Sequence, residues 1–163
     1  MLQVVYFTNA CAVVRAYLMA LVEKSVLIEY PAALMYALVE DVAAYPEFLP
    51  WCGGTEILNQ EGEITRAAIV IDFRGIKQRF STENRADPPN LIGMTLVDGP
   101  FRHLDGSWRF KALGEEACKI EFRLHYEFSS KLLEKIVGPV FHYIANTFVD
   151  AFVKRARQLY GPR

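Results

Sequence analysis

The chain has 163 residues, a formal net charge of −1, and a composition that is 52% hydrophobic and 13% aromatic. Such a chain is long and greasy enough for one globular domain with a real core, which excludes a disordered or low-complexity protein. The near-neutral balance argues against wholesale nucleic-acid binding, and against DNA as a partner, but leaves room for a local basic patch.

Residues 1–18 carry one charge, Arg15, and their apolar stretches are interrupted by Thr8-Asn9 and Arg15. They lack the basic start and long apolar run of a signal peptide, and the Arg and Ser richness of a mitochondrial presequence. They read as a weakly ordered or mis-annotated extension, with Met19 as an internal start and the domain spanning 19–163. From there Val22–Glu29 alternates as a first strand, and Tyr30-Pro31 stops it. Leu34, Leu38 and Val42 recur at a spacing of four, which predicts a helix over Ala32–Val42. Tyr45–Leu49, bounded by Pro46 and Pro50, predicts a second short helix, and Cys52-Gly53-Gly54 a turn.

Thr55–Phe128 then reads as six strands in a meander: Thr55–Asn59, Ile64–Phe73, Ile76–Arg85, Leu91–Val97, Arg102–Ala112 and Lys119–Phe128. Glu61-Gly62, Arg74-Gly75, Asp87-Pro88-Pro89-Asn90, Asp98-Gly99-Pro100 and Gly114-Glu115-Glu116 punctuate them. Ala67, Ile69, Ile71 and Phe73 alternate with Arg66 and Asp72. Ile120, Phe122, Leu124 and Tyr126 alternate with Lys119, Glu121, Arg123, His125 and Glu127. Each strand is half-buried, so the sheet is antiparallel with one covered face. On the sixth of the chain's seven strands, Arg102, Leu104, Gly106, Trp108 and Phe110 share the inward face. The cover is a helix from Ser130 to Leu159, whose Leu133, Ile136, Val137, Val140, Phe141, Ile144, Phe148 and Phe152 form an apolar stripe. Ser129 or Ser130 caps its start, and Gly138-Pro139 should kink or interrupt it. The fold class is therefore α+β in a helix-grip arrangement: a curved antiparallel sheet of about seven strands around a long C-terminal helix, with two short helices after strand one.

Tyr45-Pro46-Glu47-Phe48-Leu49-Pro50-Trp51-Cys52, and Val97-Asp98-Gly99-Pro100-Phe101 leading to Trp108-Arg109-Phe110, are fairly specific wording. With this element order they resemble a START-related family that contains the coenzyme Q-binding proteins of respiration and the bacterial ribosome-association toxin. The resemblance covers about Leu21 to Tyr160. It implies an apolar cavity for a polyprenyl quinone or similar lipid and, in the bacterial branch, association with the large ribosomal subunit. The absence of a transit peptide favours a bacterial, cytoplasmic protein. The wider superfamily includes polyketide cyclases, which share the fold but not these words.

Candidate chemistry follows from the residues. Cys11, Cys52 and Cys118 are widely spaced, with no CxxC and no metal-ligand pairing with His, so they read as small buried or half-buried thiols in a reducing compartment, and no metal site is expected. His103, Asp105 and Ser107 mimic a triad, but alternate positions on a strand lie about 6.5–7 Å apart and this face is the solvated one. No catalytic residue is expected. His125 reads as surface, and His142 as a structural histidine that could reach the cavity mouth. The cavity candidates are Phe73, Phe80, Met94, Leu96, Trp108, Phe122, Tyr126, Phe141, Ile144 and Phe148, set between helix and sheet near the Asp98–His103 loop and the Ala32–Leu49 helices. The RNA-contact candidates are Lys77, Arg79 and Arg85 on one outer strand face, and Lys154, Arg155 and Arg157 at the helix end.

The residues alone give a helix-grip domain with a greasy pocket; with the resemblance they point first to a non-enzymatic carrier of a quinone such as ubiquinone, with no required cofactor. The alternative is a regulator that binds the large ribosomal subunit and hinders subunit joining. A cyclase or aromatase is disfavoured because no convergent acid–base set is seen. The partners expected are a hydrophobic small molecule, the large subunit and, transiently, a membrane surface.

Overall fold

The computed structural model describes residues 19–163; the reading of residues 1–18 lies outside the described residues. The elements in chain order are β1 (Ala20–Ile28), α1 (Ala32–Glu40), a 3-10 helix (Val42–Glu47), β2 (Cys52–Glu61), β3 (Ile64–Phe73), β4 (Ile76–Asp87), β5 (Leu91–Asp98), β6 (Phe101–Ala112), β7 (Cys118–Phe128) and α2 (Lys131–Tyr160). The seven strands form one curved antiparallel sheet in the order β1-β7-β6-β5-β4-β3-β2. Only β1 breaks the meander, pairing with β7 through contacts such as Val22↔Leu124 and Val26↔Ile120. The expected helix-grip architecture is thus present, with α2 lying across the sheet.

Alternation explains which face α2 covers. On β7, Ile120, Phe122, Leu124 and Tyr126 are buried, and the residues between them form the convex face. The helix answers with Val137, Val140, Phe141, Ile144, Val149 and Phe152, all buried. Ser130 caps it by accepting from the Leu133 backbone N–H at 3.1 Å. At its far end the Tyr30 hydroxyl donates to the Gly161 carbonyl at 2.5 Å, which ties the end of β1 to the C-terminus.

Four local expectations are corrected. β2 starts at Cys52, so Cys52-Gly53-Gly54 is strand rather than turn; a side chain at Gly53 would place its Cβ 2.8 Å from the Asp72 Cβ on β3. The register shift between Phe101 and His103 turns Phe101 inward, 6% exposed, and Arg102 outward. Arg102 then donates to Glu127 at 2.9 Å, which lets Glu127 stay buried on a face that alternation assigns to solvent. Finally, α2 runs unbroken through Gly138-Pro139. Pro139 and Lys135, whose carbonyl loses its partner there, are both exposed, so the gap is on the solvent side of the helix.

The Asp98-Gly99-Pro100 turn needs its glycine. Gly99 has φ +147, and a Cβ there would sit 2.5 Å from the Phe80 Cβ. The turn therefore lies directly against the inward side of β4, where the cavity begins.

Candidate functional site: a small apolar cavity and a charged convex face

Between α2 and the concave face of the sheet is a cavity of about 60 Å³. Phe80 of β4, Met94 of β5, Phe122 of β7, and Phe141, Ile144 and Phe148 of α2 all line it, so six of the ten candidates converge. The other four do not line it. Phe73 stacks on Tyr143 at 5.7 Å near the end of the sheet. Leu96 is half-buried outside the lining. Trp108 is fully buried and packed against Phe122 at 4.6 Å and Phe152 at 5.2 Å, so it fills space rather than bounding it. The Tyr126 hydroxyl points instead to the exposed His142, 3.3 Å from its Nδ1. The Asp98–His103 loop also stays out of the lining; the first contributor from β6 is Leu104.

The lining contains residues that sequence reasoning missed. Val42 and Tyr45 of the 3-10 helix and Trp51 close one side. Thr82 and Asn84 of β4 enter by the same period of two that turns Phe80 inward; their polarity disguised them. The Thr82 hydroxyl donates to Asn84 Oδ1 at 2.8 Å, which leaves the Asn84 amide nitrogen as a donor available to a carbonyl. Tyr45 is spoken for: its buried hydroxyl donates to the Val39 carbonyl at 2.6 Å, and burial raises its pKa far above the ordinary tyrosine value. The lining contains no carboxylate, histidine, cysteine or lysine. At about 10–15 Å³ per water, the cavity has room for a few waters, whereas ligand sites run to about 300–1,000 Å³. A prenylated ligand therefore enters only if helix and sheet part.

Among the described residues, the polar groups outside the cavity gather around two histidine clusters, His103–Asp105–His125 and Tyr126–His142–Asn146. His103 Nε2 does contact Asp105 Oδ1, closer than strand spacing alone implies, because the side chains lean along the strand. His125 Nδ1 lies 3.9 Å from Asp105 Oδ2. Ser107 bonds to neither histidine, so the three letters that mimic a triad do not form one. Among the described residues no three metal-ligating side chains converge. Cys118 is buried, which pushes its pKa up to about 11, and Cys52, half-buried, is raised by the same cause.

The basic candidates do not form one surface. Lys77, Arg79 and Arg85 are on the convex face, away from α2, and two are engaged: Arg79 with Glu56 at 3.0 Å and Arg85 with Glu83 at 3.1 Å. Arg155 is held by Glu47 at 2.6 Å, over the Phe48 ring. Among the described residues, Lys77, Lys154 and Arg157 have no carboxylate within ion-pair distance. Two further cations without an ion pair, Arg109 and Lys111, are exposed on the convex face at the end of the strands opposite Lys77, beside Glu121; the sequence reading put Arg109 outward but did not count either among the basic candidates.

A curved antiparallel sheet closed by one long helix over an apolar cavity defines a helix-grip domain of the START and polyketide cyclase type. The family described as polyketide cyclase / dehydrase and lipid transport matches residues 28–153, and the chain belongs to it. A protein named ribosome association toxin RatA, from Pseudomonas aeruginosa, is 45% identical over 140 residues, covering 86% of this chain and 97% of that protein. The mitochondrial coenzyme Q-binding protein COQ10 homolog B of Xenopus laevis is 30% identical over 131 residues, covering 78% of this chain and 54% of that protein. A START superfamily protein from Mycobacterium smegmatis superposes with a TM-score of 0.70 at 22% identity, covering 85% of this chain and 98% of that one.

Proposed function

We propose that this protein acts by binding the large ribosomal subunit in the bacterial cytoplasm, and that it does so without catalysis. The carrying observation is the 45% identity, over 97% of its length, to a protein named ribosome association toxin. The convex sheet face supports the reading: it is free of the helix and carries cations without an ion pair at both ends, Lys77 at one and Arg109 and Lys111 at the other, with Arg79 and Arg85 between them held only by exposed or partly exposed carboxylates. Phosphate contacts of this kind supply salt-dependent affinity. Reversing Lys77, Arg109 and Lys111 to Glu should weaken co-sedimentation with purified large subunits and reduce the slope of log affinity on log salt by about 0.7–0.9 per lost contact. Failure of the wild type to sediment with large subunits at low salt overturns the reading. Occupation of the joining surface for the small subunit is the natural consequence, and a subunit-joining assay reads it.

A second reading rests on the cavity. Its apolar lining and the free Asn84 donor suit a lipid bearing a carbonyl, such as a quinone, and the 30% identity to a coenzyme Q-binding protein supports it. The cavity volume makes this the lesser role. Mass spectrometry of lipid retained by the purified protein tests it; a prenylated quinone retained by the wild type and lost from Phe148→Asp, with the fold intact, supports it.

A further inference from the structure

The N-terminal half of α2 leaves apolar side chains in water that the fold does not use. Leu132 is 67% exposed, Ile136 52% and Tyr143 42%. With the exposed Pro139 they follow one another at spacings of four, three and four, which keeps them in one stripe along the helix. Lys131, Lys135 and the exposed His142 border one side of it. On another side is the β3–β4 turn: Phe73 stacks on Tyr143, and the Arg74 guanidinium lies 4.8 Å from one ring and 4.7 Å from the other. Among the described residues no carboxylate comes within ion-pair distance of Lys131, Lys135 or Arg74. Glu134, the nearest acid in sequence to Leu132 and Ile136, projects about 160° round the helix from Ile136, into a groove it shares with Tyr126, Gly138, Pro139 and His142 at the edge of the stripe.

We propose that this end of the molecule docks onto the surface of an anionic phospholipid bilayer. Leu132 and Ile136 enter the acyl boundary, Tyr143 sits at headgroup level with its hydroxyl in water, and Lys131, Lys135 and Arg74 meet lipid phosphates. The mixture selects this occupant. Exposed Leu and Ile have no role against RNA phosphates, and a symmetric second copy would bring Lys131 and Lys135 against themselves. The patch is small, so docking is shallow and reversible. By length and composition α2 could cross a membrane, but its buried residues form the core of the grip, which keeps it in the domain.

The test is flotation of the full chain with phosphatidylcholine vesicles, with and without phosphatidylglycerol, beside co-sedimentation with ribosomal subunits and light scattering for oligomeric state. The wild type should bind the phosphatidylglycerol vesicles and leave the neutral ones. Leu132→Asp with Ile136→Asp should reduce binding at least about tenfold, and each of Lys131→Gln and Lys135→Gln about fivefold. All four positions are exposed, so the thermal midpoint should hold, and a melt confirms it. The proposal is overturned if the wild type ignores anionic vesicles, if the Asp pair binds them as well as the wild type, or if neutral vesicles bind equally. It is also overturned if the Asp pair instead abolishes subunit sedimentation or dissociates a dimer while no vesicle binding exists.

Discussion

The two halves of α2 make unlike bargains with the sheet. The C-terminal half enters an aromatic cluster: Phe152 is fully buried, with Tyr45, Phe48, Trp108 and Phe148 rings all 5.1–5.3 Å from its own. The N-terminal half buries Val137, Val140 and Phe141 but presents Leu132, Ile136 and Tyr143 to solvent. The first half anchors the domain, and the second holds apolar surface available for contact. The cavity lies along the helix from Phe141 to Phe148, so the junction between anchored and available halves is where the grip opens.

The sharpest way to break this comparison is Phe152→Ala. It should cost about 3–5 kcal/mol in urea denaturation, because a closed cluster collapses poorly around the hole. A cost as small as that of a surface change would mean the anchor is elsewhere. Gly99→Ala comes next, at about 1–3 kcal/mol, since the new methyl collides with Phe80 at a positive φ. Ser130→Ala removes the cap that starts the available half and should cost about 1 kcal/mol, with faster amide exchange confined to the first turns of α2. Alkali gives a smaller effect of defined sign. Burial raises Tyr36 and Tyr126 to about 12, so each stays protonated in the fold after it would ionise in the unfolded chain. Stability from these groups is complete below about pH 10 and is lost as pH rises from there through 12. Tyr126→Phe should flatten that decline in a pH series of melts. Leu132→Asp is expected to move stability by less than about 0.5 kcal/mol, the counterpart of Phe152→Ala on the same helix.

Most of the fold was legible because the inward and outward residues differ so sharply in kind. Ala67, Ile69, Ile71 and Phe73 recur at a period of two, with Arg66 and Asp72 on the opposite parity, which sets the register of β3, and the reading of Ile64–Phe73 coincides with the strand. What escaped was local geometry. Nothing in the letters Phe101-Arg102-His103 announces an extra residue in the ladder, so Arg102 was read inward when Phe101 takes that place. Cys52-Gly53-Gly54 reads as a turn, whereas Gly53 serves close approach to Asp72. The cavity was half legible for a different reason. Parity tells which side chains face the helix, but not whether the gap above them is filled. Trp108 and Phe122 are neighbours on adjacent strands; one packs and the other lines, and only the separation of helix from sheet decides between them. Polar side chains were assigned to solvent, which hid Thr82 and Asn84.

The pairing of β1 with β7, and of Tyr30 with Gly161, has a consequence for synthesis. Chains emerge N-terminus first, so six strands can meander together while the element that covers them is still unmade. β1 waits for a partner about a hundred residues downstream, as Val26↔Ile120 requires. Until α2 has emerged, Phe80, Leu104, Trp108 and Phe122 have no helix above them. The grip therefore closes only once α2 is available: a nascent chain stalled before α2 has emerged presents its greasy concavity, and is a natural client for chaperones.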